Sequence, residues 1–190
     1  DVSTTSFHAT KLYHTVEGGA VITTDLELLE RMACMRNFGH DGPGQFNGVG
    51  INGKNSEIHA AMGLCNLNHI DEILERRAQQ SQYYDEILEG LRVTRPKVNE
   101  QADVNHAYYP VLFDTHKAMK RAKEALEKQE INARRYFYPS LSSLEYVAEV
   151  NTPVSDDIAQ RVLCLPLYHT LTREEQEMIA WFLLQVQHCE

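Results

Sequence analysis

The chain has 190 residues, 43% of them apolar, enough to bury a core of one large domain or one and a half. A net charge of −9 and a pI near 5.5 argue against nucleic-acid binding, since the densest positive run is Arg134-Arg135 and no basic stripe can neutralise phosphates. No apolar run approaches the ~20 residues of a bilayer span and no signal peptide opens the chain, so a cytoplasmic protein with no membrane partner is expected.

The opening residues, polar and without an initiator methionine, run straight into a chemically dense segment, which suggests a piece of a longer protein. Gly18-Gly19 closes an opening loop, and residues 20–24 read as a short β-branched strand. The pattern Thr24-Asp25-Leu26-Glu27 is a capping box that starts a helix over 25–36, with Leu28, Leu29, Met32 and Met35 on one face. Residues 37–55 carry six glycines and Pro43, so a loop with left-handed turns or close backbone approach is predicted. A long helical segment follows over 56–91, with stripes at Ile58, Ala61, Met62 and Cys65, then Ile70, Ile73 and Leu74, then Tyr83, Tyr84, Ile87 and Leu88. A break near Asn68-His69 is expected in so long a helix, together with a role in bridging two domains.

From Val104 the pattern alternates between strand and helix. Strands are predicted over 106–113, 131–138 and 163–168, the last broken at Pro166. Helices are predicted after a cap at Asp114, over 155–162, and after the capping box Thr172-Arg173-Glu174-Glu175. Tyr108 and Tyr109 alternate, so one faces the core, and Trp181 reads as packing. Residues 92–190 thus look like a complete small α/β domain, whereas one strand and two helices over 1–91 cannot close a layered core without partners. Cys34, Cys65, Cys164 and Cys189 stand singly, without a C-x-x-C pair, and read as free thiols in a reducing compartment, with no metal site expected.

Lys11 alone would read as a solvated surface charge. With Ser6 five residues before it and a glycine-bearing loop leading into a strand, it becomes a candidate for phosphate-and-amine chemistry. The runs SFHATK, EGGAVITTD, RNFGHDG, GINGKNSEIHAAMGL, YFYPSL and RVLCLPLYHTLTREE, in this order, resemble the DegT/DnrJ/EryC1/StrS aminotransferases across essentially the whole chain. These fold-type-I enzymes use pyridoxal 5′-phosphate to move an amino group from an amino acid, commonly glutamate, to a nucleotide-linked keto-sugar. The resemblance implies an α/β chain made of the end of the large cofactor domain (1–91) plus the small C-terminal domain (92–190).

Carried over by position, Lys11 matches the lysine that holds the cofactor as a Schiff base, and Ser6 a serine that bonds its phosphate. Asn52 matches an asparagine that reaches the phosphate from the neighbouring subunit, which implies a homodimer with shared active sites. His8 faces either the ligand or the protein interior, and Tyr138 falls where the family lines its substrate pocket. Many members place a histidine shortly after the following proline; Ser140 and Ser142 stand here instead. The family's ring-nitrogen aspartate, stacking aromatic and further phosphate loop lie upstream of the lysine and match nothing here, so the 190 residues alone are expected to be inactive. Two alternatives stay open: a non-catalytic dimerisation or interaction module, and a pyridoxamine-phosphate-dependent sugar dehydratase. Lys11 argues against the second, because that branch carries histidine there.

Overall fold

The computed structural model describes residues 1–148 and 150–188, so Cys189 lies outside the described residues. The chain divides into two compact units, Asp1–Glu72 and Ile73–Glu190.

In the first unit, strands β1 (Val2–Ser6) and β2 (Gly19–Thr23) pair antiparallel, from Val2 opposite Thr23 to Ser6 opposite Gly19. Helix α1 (Leu26–Arg36) begins one residue later than the capping pattern suggested: Asp25 is the cap, its carboxylate accepting from Leu28 N at 3.1 Å. The glycine-rich stretch folds back on α1. Phe38 N donates to Ile51 O at 3.0 Å, and Ile51 N donates to Met35 O at 2.8 Å. Gly39, at φ +79, lies so close to Gly48 that an added Cβ would sit 2.2 Å from the Gly48 carbonyl oxygen, so only glycine fits there. Helix α2 (Glu57–Leu67) follows, capped by Ser56. The expected apolar stripe of α2 is largely uncovered, with Ile58 81% exposed, and Val49 in the preceding loop is 89% exposed. Among the described residues, all of the buried hydrophobic ones belong to the second unit, from Tyr84 onward.

Helix α3 (Ile70–Ile87) is separated from α2 at Asn68-His69, where the sequence indicated a break. From Ile73 on, α3 packs into the second unit rather than with residues 1–72, because Gln80, Ser81 and Tyr84 are buried there with Leu88 and Leu91 just beyond. The division therefore falls at 72/73, well before 91/92.

The second unit holds a three-stranded antiparallel sheet in the order β3 (Val93–Thr94), β4 (Tyr109–Phe113), β5 (Val162–Leu165). Helix α4 (His116–Glu127) turns Met119, Ala122 and Leu126 inward, at the three- and four-residue spacing that aligns side chains on one helix face. Its cap is Thr115, whose hydroxyl accepts from Ala118 N at 3.1 Å, rather than the expected Asp114. Helix α5 (Pro153–Arg161) carries proline in its first turn, where no N–H is needed. Helix α6 (Arg173–His188) opens with the expected reciprocal capping box: Thr172 N donates to Glu175 at 2.8 Å and Glu175 N donates to the Thr172 hydroxyl at 3.2 Å. Mixed α and β content is thus present, with every paired strand antiparallel.

Three strand expectations are corrected. Residues 131–138 form no strand: only Arg134 pairs, exchanging backbone bonds with Cys164 at 3.0 and 2.7 Å before the chain turns. β4 starts at Tyr109 rather than at 106, because His106 sits at φ +50, outside extended geometry. β5 ends at Leu165, since Pro166 has no N–H for the ladder. Tyr109 is buried and Tyr108 exposed, as alternation requires. Trp181, expected to pack, is 55% exposed and meets Phe182 edge-to-face at 4.9 Å. Cys34, Cys65 and Cys164 are free thiols, and burial pushes the Cys164 thiol up. Among the described residues no helix is long and apolar enough to cross a membrane.

Candidate active-site loop and C-terminal pocket

Because β1 and β2 pair out to Ser6 and Gly19, the residues between them form one hairpin loop. Main-chain bonds stitch it: Phe7 N to Gly18 O at 2.9 Å, Ala9 N to Val16 O at 2.7 Å, Thr15 N to Phe7 O at 2.9 Å, and Lys11 N to His8 O at 2.9 Å. The Phe7 and Tyr13 rings meet edge-to-face at 5.1 Å. Thr15 is buried, and its hydroxyl donates to Glu17 O at 2.6 Å.

Helix α2 supports this loop from below. Asn66 donates its side-chain N–H to His14 O at 2.8 Å. Gly63 is buried against the loop: an added Cβ would lie 2.8 Å from both the Thr15 methyl and the Tyr13 hydroxyl. Gly63→Val therefore forces the loop off the helix. The expected cost is about 1–3 kcal/mol, the usual range for overpacking. A lowered melting temperature with faster proteolysis within residues 7–18 is the expected reading. An unchanged cleavage pattern would show that the helix does not seat the loop.

Lys11 is exposed, and its amine makes no hydrogen bond or ion pair among the described residues. The Ser6 hydroxyl accepts from His8 N at 3.3 Å. The His8 ring is held inside the loop, Nδ1 at 2.9 Å from the Thr10 hydroxyl and Nε2 at 3.5 Å from the Glu17 carboxylate. Asn52 lies in the same unit on the glycine-rich loop, its backbone bridging to Asn37. Its Oδ1 accepts from Lys54 Nζ at 2.9 Å, and that ammonium rests 3.9 Å from the Phe38 ring centre. His8 and Lys11 thus share one loop, with Ser6 at the strand end that leads into it and Asn52 on a second loop of the same unit.

Tyr138 belongs to the other unit. Its ring packs on the Arg135 guanidinium at 3.5 Å, while Arg135 also donates to the Ala159 and Gln160 carbonyls at 3.1 and 3.3 Å. Residues 136–144 and α5 enclose a cavity of about 710 Å³. On one side Ser142 donates to Asp156 at 2.6 Å, Thr152 lies 2.6 Å from the Ser142 hydroxyl, and Ser140 lies 2.9 Å from it. Bonds from Ser142, then Ser140 and Thr152, hold the Asp156 carboxyl below the usual carboxylate range.

Sequence reasoning did not single out Thr15, Gly63, Asn66, Thr152 or Asp156. The one available signal was a glycine among the apolar positions of α2, which marks close backbone approach.

Both units recur together in solved aminotransferases. The chain superposes on DesI, solved in the presence of its TDP-sugar product, with a TM-score of 0.86 and 31% identity, covering 100% of this chain and 53% of that one. A DegT DnrJ EryC1 StrS aminotransferase from Brucella abortus gives 0.86 at 25% identity, covering 97% and 50%. The sequence model of the DegT/DnrJ/EryC1/StrS aminotransferase family matches residues 1–183, and the chain belongs to that family. It is 36% identical to the dTDP-4-amino-4,6-dideoxy-D-glucose transaminase of Shigella dysenteriae over 188 residues, 94% of this chain and 51% of the relative. It is 29% identical to the GDP-perosamine synthase of Escherichia coli O157:H7, over 92% of this chain and 49% of the relative. The chain spans about half the length of the curated relatives it matches.

Proposed function

We propose that the protein to which these residues belong moves an amino group from an amino acid, glutamate by family precedent, to a nucleotide-linked keto-sugar, with pyridoxal 5′-phosphate carried on Lys11. The observation that carries this reading is the exposed, unengaged Lys11 amine on a main-chain-stitched loop, inside the family motif. The transaminase named for the Shigella relative and the TDP-sugar product of DesI support a nucleotide-sugar substrate. The residues present fit the cofactor: an unpaired primary amine suits its aldehyde, and the Ser6 hydroxyl at the strand end suits its phosphate.

When bound, the cofactor supplies an electron sink for the bonds that change at the amino carbon. The chain supplies the rest. Lys11 Nζ would hold the cofactor's aldehyde and, as the chain's base, would take up and return the proton at the substrate's amino carbon. Ser6 Oγ donates to the phosphate. Asn52 Nδ2, left free because Lys54 engages only Oδ1, donates from the partner subunit of a homodimer. A cytoplasmic setting suits the free thiols.

Borohydride reduction of the full-length protein with pyridoxal phosphate, followed by peptide mass mapping, tests the anchor. A pyridoxyl mass on the Lys11 peptide is expected. A label on Lys54, the other lysine of the first unit, would sink the assignment.

A further inference from the structure

The glycine-rich stretch after α1 carries an aromatic row that the amino-transfer chemistry leaves unused. Phe46 packs on the His40 ring at 4.6 Å, and His40 meets Phe38 edge-to-face at 6.2 Å. Main-chain contacts keep the row in order: His40 bridges to Phe46, and Phe38 N donates to Ile51 O at 3.0 Å. Gly53 N donates to Arg36 O at 2.8 Å and Asn37 bridges to Asn52, so residues 36–38 run alongside 51–53. At the end of the row the Lys54 ammonium rests 3.9 Å from the Phe38 ring centre and 2.9 Å from Asn52 Oδ1. Lys54 is an exposed residue on a flexible four-carbon stem, and the attraction of a ring face for a cation is what keeps its head in one place.

The chemistry of the Lys54–Asn52 contact fixes which way the amide points. An ammonium has three hydrogens to give and no lone pair, so Lys54 can bond only the oxygen of Asn52. The nitrogen, with its two hydrogens, is then left on the other side of the amide group. Without Lys54 the amide turns about its terminal bond between two orientations, and one of them presents oxygen where the other presents N–H. The difference matters to an anion. An ionised phosphate accepts hydrogen bonds and repels a carbonyl oxygen. We propose that Lys54 and Phe38 are positioning residues: steadied by the aromatic row, Lys54 holds the Asn52 amide with its N–H group presented to a phosphate. The proposal rests on the reading above in which Asn52 binds the phosphate of the cofactor. It gives Phe38, His40 and Phe46 one common task, to keep a single cation seated against a single amide.

The test uses full-length protein and two probes, pyridoxal 5′-phosphate and pyridoxal, titrated with absorbance as the readout. The ratio of the two affinities isolates the phosphate from the aldehyde. Lys54→Met keeps the stem and removes the ammonium, and the preference for the phosphate form falls ~3–10-fold, the cost of ordering one side chain at the moment of binding. Lys54→Arg, a cation that also only donates, restores the preference. Phe38→Leu keeps every charge and lowers the preference ~2–5-fold, the scale of one exposed contact between a cation and a ring. In protein with isotopically labelled asparagine and neither probe present, the NMR signal of the Asn52 side-chain amide shifts in Lys54→Met and in Phe38→Leu and returns in Lys54→Arg. An unchanged ratio in Lys54→Met or Phe38→Leu overturns the proposal, as does a loss that Lys54→Arg does not recover. A lowered ratio with an unmoved Asn52 signal marks a bare charge effect and overturns it as well. Asn52→Ala separates the proposal from the reading beneath it. If that variant lowers the ratio while the Lys54 and Phe38 variants do not, the positioning role fails and the phosphate role of Asn52 stands. If Asn52→Ala leaves the ratio unchanged, the phosphate role itself fails, and the positioning role with it.

Discussion

If the proposed sites are shared across a homodimer, full-length subunits carrying Lys11→Ala, or carrying Asn52→Ala, are expected to be inactive or strongly impaired as pure dimers, and mixing the two is expected to restore up to about a quarter of wild-type amino transfer. The fraction follows from counting. Random exchange makes half of the dimers hybrid, and each hybrid gathers both lesions in one active site while leaving the other intact. Loss of Lys11 is expected to cost on the order of 10⁴-fold or more, the scale seen when a covalent group is removed and no neighbour replaces it. Lys54 is no substitute, because its ammonium is engaged by Asn52 and the Phe38 ring. The Asn52 lesion works through one amide donor, which Lys54 leaves unengaged by holding the carbonyl oxygen. No regain of activity, with subunit exchange verified by mass, would mean that Asn52 serves its own chain.

Gln80→Leu destabilises the second unit by about 2–4 kcal/mol, read as a lower midpoint of denaturant unfolding with unchanged slope. Gln80 is 3% exposed, and its side-chain N–H group reaches the carbonyls of Tyr168 and Leu171, both at 2.8 Å. Gln176, 1% exposed, donates in turn to the Gln80 backbone carbonyl at 2.8 Å, so α3, the segment before α6 and α6 itself are joined in one polar clasp. Leucine fills the volume but leaves the buried Leu171 carbonyl and the half-buried Tyr168 carbonyl without this donor, at about 1–3 kcal/mol for each group kept from water. The Gln80 Oε1 atom is itself buried without a partner, and losing it offsets part of that cost. A midpoint equal to wild type would show that water reaches these carbonyls.

The clasp also marks where sequence reading stops. Periodicity brought out Tyr84 on α3, Leu88 just beyond it, and Ala122 and Leu126 on α4, all of them in the core, because apolar spacing is a property of one helix read by itself; Met119, on the same face of α4, was passed over. Gln80 looks like any solvated residue of a polar helix until the 168–171 segment, some ninety positions away, delivers its carbonyls. The same holds for Asp156, whose partners Ser140 and Ser142 come from a different stretch of chain. The stretch 131–138 alternates well enough to suggest a strand, yet one bridge at Arg134 is all that neighbouring geometry accepts. Strand status depends on a partner edge, and the chain carries no local record of it. Lys11 and Ser6 stood out as candidates for another reason. Their loop is short and contiguous, so the pattern that defines it is written in consecutive letters.

That loop has one more property. The bonds joining Phe7 to Gly18, Ala9 to Val16 and Thr15 to Phe7 all run from main chain to main chain. A position fixed by peptide groups is indifferent to the letters riding on it, so drift at Ala9 or Leu12 need not move the lysine. Where the amine stands and what surrounds it are therefore separately heritable. On such a scaffold mutation can explore new substrates while the proposed anchor keeps its address, which is the condition under which one fold diversifies across many chemistries of a single type.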